Sequence, residues 1–461
     1  MTRGRWWPRR WRHAGGRYAP DLWPVWIVAG LAVVVVCVAG GVAYWLVRRI
    51  TEPVETLGVP DGIRLSIAIL TVFGAVLAGV YAYRKQRISE GDAHRADATQ
   101  FAERYSTAAG QLGHEGPAVR LAGVYAMARL ADDWVEQRQV CVDVMCAYLR
   151  MPYEANPESD QYKKGEREVR QTIIRVIRDH LREPREEPSW STCALDFTRA
   201  TFDGGDFSGC RFRGSVSFAD ADFVGDLISF DGAGFLDCAV TFHGARFGVG
   251  AVTFNDARFQ GGTVSFDEAQ FSGSALSFCG ALLGPGDITF HHASLSGGTL
   301  ALDEARFSGG TVGFDYAQFG NATVTLNQAR FEDGSLAFRR ARFTGGTLSF
   351  DHAHVTGGSV ALDDAEVTGG TVTFYATRFD GGNVTFDYGQ FTDSTVTFHH
   401  GRFNGGTVSL DNARFNGGMV SFVRAQVDGG RVVFADAQFS GATVRWGRLR
   451  PPPEAGTGRT T

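Results

Sequence analysis

Aspartate is the residue whose spacing most invites a chemical reading. Asp267, Asp303, Asp315, Asp351, Asp363, Asp387 and Asp411 each follow a large apolar residue, at separations that are multiples of twelve. Carboxylates at a fixed repeat are how glycine-rich nonapeptide repeats hold calcium between turns. Here the period is twelve, and Cys279, His291, Arg339, Tyr375 and Val423 take the same slot without disturbing the register. A slot that accepts arginine and valine does not read as a cation ladder, so the expectation is an Asp side chain bonding its own corner backbone. His291 with His292 and His399 with His400 occupy equivalent slots nine units apart. If one coil takes two units they fall on opposite sides, which excludes a joint metal site and leaves exposed histidines. The seven cysteines, Cys37, Cys141, Cys146, Cys193, Cys210, Cys238 and Cys279, are odd in number and irregular in spacing. They make neither a disulfide framework nor a paired metal site and read as reduced structural thiols.

Catalysis needs convergent groups in a concave pocket, and no such constellation is present. There is no glycine loop followed by Lys and Ser or Thr, no HExxH and no nucleophile elbow. Neither a catalytic activity nor a cofactor nor a bound metal is therefore expected. Two basic stretches remain. Arg170, Arg175, Arg178 and Arg182 form a strip on the outward face of a predicted helix, a contact face for anionic lipid or an acidic partner, although a solvated face is the commoner explanation. Arg3, Arg5, Arg9, Arg10, Arg12 and Arg17 alternate with Trp6, Trp7 and Trp11. Beside a long apolar run this mixture reads as a headgroup and topology signal, and nucleic acid is not an expected partner.

The element that must position these residues is a repeat. A large apolar residue returns every twelve positions from Phe218 to Trp446, and a second series keeps step five residues behind, from Phe223 to Phe439. Such self-similarity marks a solenoid whose units bury their apolar faces against their neighbours. In Thr263 to Ser274, Val264 and Phe266 are two apart, as are Ala269 and Phe271, so alternation in an extended segment points both members of each pair inward. Phe254, Phe259, Phe266, Phe271, Phe314, Phe319, Phe350, Phe386 and Phe434 are thus the predicted core. Pairs such as Gly261–Gly262, Gly309–Gly310, Gly345–Gly346 and Gly405–Gly406 fall where corners are needed, since glycine reaches positive φ cheaply. Thr263 with Ser265, Thr323 with Thr325 and Thr371 with Thr373 point outward and stack into hydroxyl ladders.

Ahead of the repeats the pattern changes. The apolar runs 22–47 and 63–83 are each long enough to cross a bilayer. The expectation is two transmembrane helices, with residues 1–21 as a basic cytoplasmic N-terminus and 48–62 as a short outside loop. The Arg84, Lys85 and Arg87 cluster then places the following chain in the cytoplasm of a two-span membrane protein. Residues 84–187 show helical spacing in four stripes: Phe101, Tyr105, Ala108 and Leu112; Val119, Ala122, Ala126 and Leu130; Val140, Val144, Tyr148 and Leu149; Val169, Ile173, Ile177 and Leu181. They predict a small helical bundle or a fragment of a helical array. The solenoid is expected over 190–446 and a disordered tail over 447–461. Pro451 to Pro453 stop the strand pattern, which leaves the C-terminal end either capped or docked to a second rod as a homodimer.

Before the twelve-residue register begins, Phe197, Phe202, Phe207 and Phe212 are spaced by five, each with a small residue two positions earlier in Ala200, Gly205 and Cys210 for the last three. In this the chain resembles the pentapeptide-repeat proteins. The resemblance implies a right-handed, four-sided β-helix in which each pentapeptide forms one side. One coil would then take two units, about 24 residues, and about ten coils at the strand spacing of about 4.8 Å would give a rod near 50 Å long. A flattened coil of about twelve residues is the alternative, but two Phe and a Val per turn would overfill so thin a core. The second run, the Gln111 to Leu130 segment and the repeats together resemble membrane-associated members of the family from high-GC Gram-positive bacteria. The expected function is a membrane-anchored scaffold that presents the repeats to an unidentified protein partner. The alternative is a DNA mimic acting on DNA gyrase, as in some members of the family, consistent with the excess of Asp and Glu over Arg in repeats that contain no Lys.

Overall fold

The computed structural model describes residues 59–182, 189–449 and 459–460, with a few helical positions between 30 and 49. The chain divides into two compact units, Met1–Arg104 and Tyr105–Thr461. The first described helix, α1 (Val59–Leu112), is 54 residues long and contains the second apolar run. Spanning a bilayer takes about 20 consecutive, predominantly apolar residues. Among the described residues no helix is long and apolar enough to cross a membrane. In α1 the apolar side chains are interleaved with Thr71, Gly74, Gly79, Tyr81 and Tyr83, and the helix runs on without a break into Arg84 and Lys85. The two-span arrangement, and the cytoplasmic placement that depended on it, are therefore overturned. The run 22–47 lies largely outside the described residues.

In the second unit α2 (Pro117–Asp133), α3 (Arg138–Arg150) and α4 (Glu166–Leu181) follow the end of α1. Proline opens α2 at its first turn, where a missing N–H costs nothing. The buried face of α2 is Val124, Met127, Ala128 and Ala131, with Leu130, rather than the predicted Val119, Ala122 and Ala126. Gly123 explains the rotation: a Cβ there would stand 2.7 Å from the Leu112 backbone nitrogen, so α2 meets α1 across its glycine. In α3 the buried residues are Cys141, Val142, Met145, Cys146, Tyr148 and Leu149, while Val140 is exposed. The α4 stripe Val169, Ile173, Ile177 and Leu181 is buried as a face, but Arg170, Thr172, Ile174 and Val176 are buried too. That helix is covered on two sides.

The solenoid follows, from Leu195–Asp196 to Thr443–Arg445, and every strand pairing within it is parallel. Thr263 pairs with Asp287 and Thr299 with Thr323, which fixes the coil at 24 residues and rules out the twelve-residue coil. One coil, Thr299 to Ala322, shows the plan. A first face is Thr299–Ala301, a second Arg306–Phe307, a third Thr311–Gly313 and a fourth Gln318–Gly320. The first and third faces each end in a tight turn. In Phe266–Ala269 the Ala269 N–H donates to Phe266 O at 3.1 Å, and Glu268 is held at φ 59°. The other two corners are wider and carry the glycine pairs; a Cβ at Gly346 would stand 2.1 Å from Ala322 O of the preceding coil. Glycine is required there by contact as well as by its φ of 77°.

Inside, phenylalanines stack coil upon coil. Phe242, Phe266 and Phe290 lie 4.6 Å apart in successive pairs and within 4° of parallel, while Phe254 stands against Phe242 at 6.2 Å and 87°. Phe254, Phe259, Phe266, Phe271, Phe314, Phe319, Phe350 and Phe386 are buried; Phe434, in the last coil, is only half-buried. Each buried ring contributes about 1.5–3 kcal/mol of transfer free energy. The alanines two residues before the ring of the following strand, such as Ala245, Ala257 and Ala269, have no exposure at all. A larger side chain at these positions would meet the stack.

The first coil is shorter than the rest. Leu195 pairs with Val216 and Thr201 with Asp222, steps of about 21 residues, while Arg211 pairs with Gly234. Pure pentapeptides thus close a coil of nearly the same cross-section, and the glycine corners add residues without changing the face order. At the other end Thr443 pairs with Arg459 and Val444 with Thr460. Part of the expected disordered tail therefore continues the first face; residues 450–458 lie outside the described set.

Candidate functional site

The aspartate slots reach the next coil rather than their own corner. Asp351 Oδ1 accepts the Tyr375 N–H at 2.9 Å and the Thr373 hydroxyl at 2.7 Å. Asp303 accepts the Asn327 N–H at 2.7 Å and the Thr325 hydroxyl at 3.0 Å. Asp267, Asp315, Asp363, Asp387 and Asp411 accept the N–H groups of His291, Arg339, Asp387, Asp411 and Ala435 in the same way. Each carboxylate closes a backbone donor exposed by a tight turn one coil later, which is why the slot repeats. The expected bond to the residue's own corner is thus replaced by a clip between coils, from each carboxylate to an N–H 24 residues on. Among the described residues no group of three or more His, Cys, Asp or Glu could hold a metal ion.

The second column of hydroxyls is partly consumed by these clips, as at Thr325, Ser349 and Thr373. The first column is not: Thr299, Thr323, Thr347, Thr371 and Thr395 succeed one another in register along the first face. Strand residues of that face carry no charge from Leu227 to Ser421. The second face differs in kind. Arg306, Arg330, His354, Arg378 and Arg402 follow one another there in register. Beside them runs a column with Glu332 and Asp380, which pair with Arg306 at 2.9 Å and Arg378 at 2.6 Å. Desolvation opposes ionisation of Asp380, but hydrogen bonds from Arg378, His354 and Asn404 pull its carboxyl down to about 2. On the fourth face Arg342 pairs with Glu366 at 2.8 Å amid glutamines.

The arginine strip of α4 does not form a free contact face. Arg170 is buried, stacks its guanidinium over the Tyr153 ring at 4.6 Å and donates to the carbonyls of Leu149 and, at 3.1 Å, Thr201. Arg178 pairs with Asp206, and Arg182 donates to Ser208 O and Oγ, both at 2.8 Å. Arg175 alone of the four stays outside this joint, 3.5 Å from Glu168. Neighbours complete the contact. Arg167 and Tyr153 both reach Asp203, Gln171 donates to the carbonyls of Asp203 and Gly204, and Arg150 pairs with Asp196. Trp190 has no exposure, stacks on His180 at 4.0 Å and donates to Asp132 at 3.0 Å. α3 and α4 therefore cover the N-terminal edge of the solenoid, where exposed strand donors would otherwise invite pairing with another chain. The space left between them is about 10 Å³, too little for a ligand. Sequence spacing located these arginines but not their partners, since Asp196, Asp203 and Asp206 lie on successive sides of the first coil.

The described cysteines are free and, except for half-buried Cys279, buried. Burial pushes the thiols of Cys146 and Cys210 up to about 12 and those of Cys141 and Cys238 to about 11, so they stay protonated and unreactive. His291 follows a strand of the third face and His399 one of the first face, so the two pairs lie on different corners. His399 accepts or donates at 2.5 Å to Ser421 and is depressed by its burial.

A family profile described as "Pentapeptide repeats (9 copies)" matches residues 197–239. No curated protein and no solved structure matches the chain. The matched stretch is where phenylalanines are still mostly five apart; beyond it the glycine corners break the period that such a profile reads. Nothing in these comparisons bears on membrane association or on a Gram-positive origin.

Proposed function

We propose that this pentapeptide-repeat solenoid is a non-catalytic protein-interaction scaffold. One observation carries the reading: the faces alternate in chemistry, with uncharged, hydroxyl-rich strands on the first and third from Thr299 to Ser409 and charged residues on the second and fourth, and the alternation persists over many coils. A partner can therefore recognise a side and a height along the stack, while buried rings and inter-coil clips supply the rigidity. The hydroxyl column of the first face and the basic column of the second, four arginines with His354 among them, are the two surfaces offered to a partner. The C-terminal end is the docking end for a partner or a second copy, because Phe434 is half-buried and Val427 is exposed there whereas helices cover the other end. The arginine column speaks against a DNA mimic, since a phosphate-like surface would be acidic without interruption.

Photo-crosslinking in intact cells tests the reading. The probe is placed in turn at Thr371, Arg402, Asn383 and Gln390, one on each face of the full chain. A scaffold yields the same crosslinked protein repeatedly from one or two faces. Equal, diffuse crosslinking from all four, or none above a probe at buried Phe386, would refute it.

A further inference from the structure

The tight corner between the first and second faces changes sign along the stack. Its outermost position runs from Glu304 and Gln328 through His352, Ala376 and His400 to Arg424 and Arg448. The slot beside it loses its acids in the same direction, since Asp303, Asn327 and Asp351 are followed by Tyr375, His399, Val423 and Gly447. Strand register carries this order into space. Thr397 pairs with Ser421 and Ser421 with Arg445, Arg378 pairs with Arg402, and the His400 N–H donates to Val423 O at 3.2 Å. A Cβ at Gly447 would stand 3.4 Å from the Val423 Cα, which sets Arg448 above Arg424. Arg402, Arg424, Arg445 and Arg448 are all exposed, and among the described residues their side chains make no ion pair or hydrogen bond. Lower in the stack Arg246, Arg306, Arg342 and Arg378 are each held by a carboxylate.

The flanking acids do not neutralise these four. Asp351 clips Tyr375 and Thr373, Asp380 is held by Arg378, His354 and Asn404, and Asp428 lies past the far end of the strand Gln426–Val427. We propose that this corner is the docking site for a short acidic segment of a protein partner. The proposal rests on the scaffold reading and gives the partner its chemistry. The four guanidiniums occupy three successive coils, about 10 Å along the rod, which is the length of three or four residues of extended chain. Each can fork onto a carboxylate. Elsewhere the repeats carry more Asp and Glu than Arg, with Glu304, Glu332 and Asp380 further down the same corner and face. A long polyanion such as nucleic acid, or the broad anionic surface of a membrane, therefore meets repulsion outside the patch. A segment whose carboxylates are concentrated over a few residues does not. Exposed Val427, one coil above Phe403, adds an apolar contact at the margin.

The test titrates the full chain, at low ionic strength, into a fluorescein-labelled penta-glutamate peptide and reads anisotropy, with penta-glutamine as the neutral counterpart. Penta-glutamate should bind saturably and penta-glutamine should not. Arg424→Glu combined with Arg448→Glu should weaken binding about tenfold or more, because like charges then face each other. Arg306→Gln, which removes an arginine already paired with Glu332, should leave binding unchanged. Unchanged thermal melting of these variants excludes loss of fold as the cause. No saturable binding, or equal weakening by the Arg306 variant, overturns the site. Tighter binding of a single-stranded oligonucleotide or of phosphatidylserine vesicles than of the peptide overturns it too, by assigning the patch to a phosphate-bearing partner. Failure of the peptide while photo-crosslinking still selects one or two faces would remove this site and leave the scaffold standing, whereas diffuse crosslinking would remove the scaffold reading itself.

Discussion

The joint between the helices and the first coil is held together differently from the coils that follow. At the joint each polar residue is used once, with several partners: Arg170 serves four carbonyls, of Tyr148, Leu149, Met151 and Thr201, and an aromatic ring, and Asp203 takes Tyr153 and Arg167. In the later coils one device recurs, a ring inside, a carboxylate clip at the tight turn and a glycine pair at the wide corner. A unique joint fixes where the stack begins, and a repeated device lets it continue. The difference implies that damage at the joint exposes a whole sheet edge, while damage within a coil is confined to its two neighbours.

The comparison can be broken most easily in the core. Phe266→Ala should destabilise by about 3–5 kcal/mol through a cavity between Phe242 and Phe290. Phe434→Ala, at the half-buried end, should cost well under half as much, by the midpoint of denaturant unfolding. Arg170→Met should cost about 3 kcal/mol, because the Leu149 and Thr201 carbonyls lose a charged donor. It should also promote self-association, read by light scattering, that Phe266→Ala does not at equal stability; if the two associate equally, the joint has no special capping role. Asp351→Ala should cost about 1–2 kcal/mol by orphaning the Tyr375 N–H and Thr373 hydroxyl. Asp351→Asn should recover most of that, since Asn255 and Asn327 already fill equivalent slots.

The smallest effect is in pH. Asp380 has a folded-state value of about 2, below its ordinary 3.8, so its contribution is present above about pH 4 and is lost as pH falls through about 2. The difference in stability between the wild type and Asp380→Asn should therefore shrink on acidification between those limits. A difference that stays constant with pH would show that Asp380 acts through packing alone.

Much of this was legible in the residues. The two phenylalanine series, the inward pairs two apart and the glycine corners follow from the alternation of extended backbone. The pentapeptide likeness at Phe197 to Phe212 predicted the four sides. The helical stripes were less accurate at α2 and α3, because Gly123 and Cys141 pack as core though neither weighs much as an apolar residue. The α4 arginines looked solvated because their carboxylate partners are far ahead in sequence, Asp206 being 28 residues from Arg178. The apolar runs suggested membrane spans, and no helix among the described residues meets the length and apolarity that a span requires.

The aspartates show most clearly where sequence stops. A repeat of twelve fixes that the slot recurs and that arginine or valine can stand in it, which already argues against calcium. It does not say which donor the carboxylate meets. That donor is 24 residues on, as Tyr375 is from Asp351, and becomes a neighbour only when two units close one coil. Sequence alone determined the inward and outward alternation, since side-chain direction in a strand is a local property. Tertiary structure decided the partners, because coil closure brings together residues whose separation no local rule records.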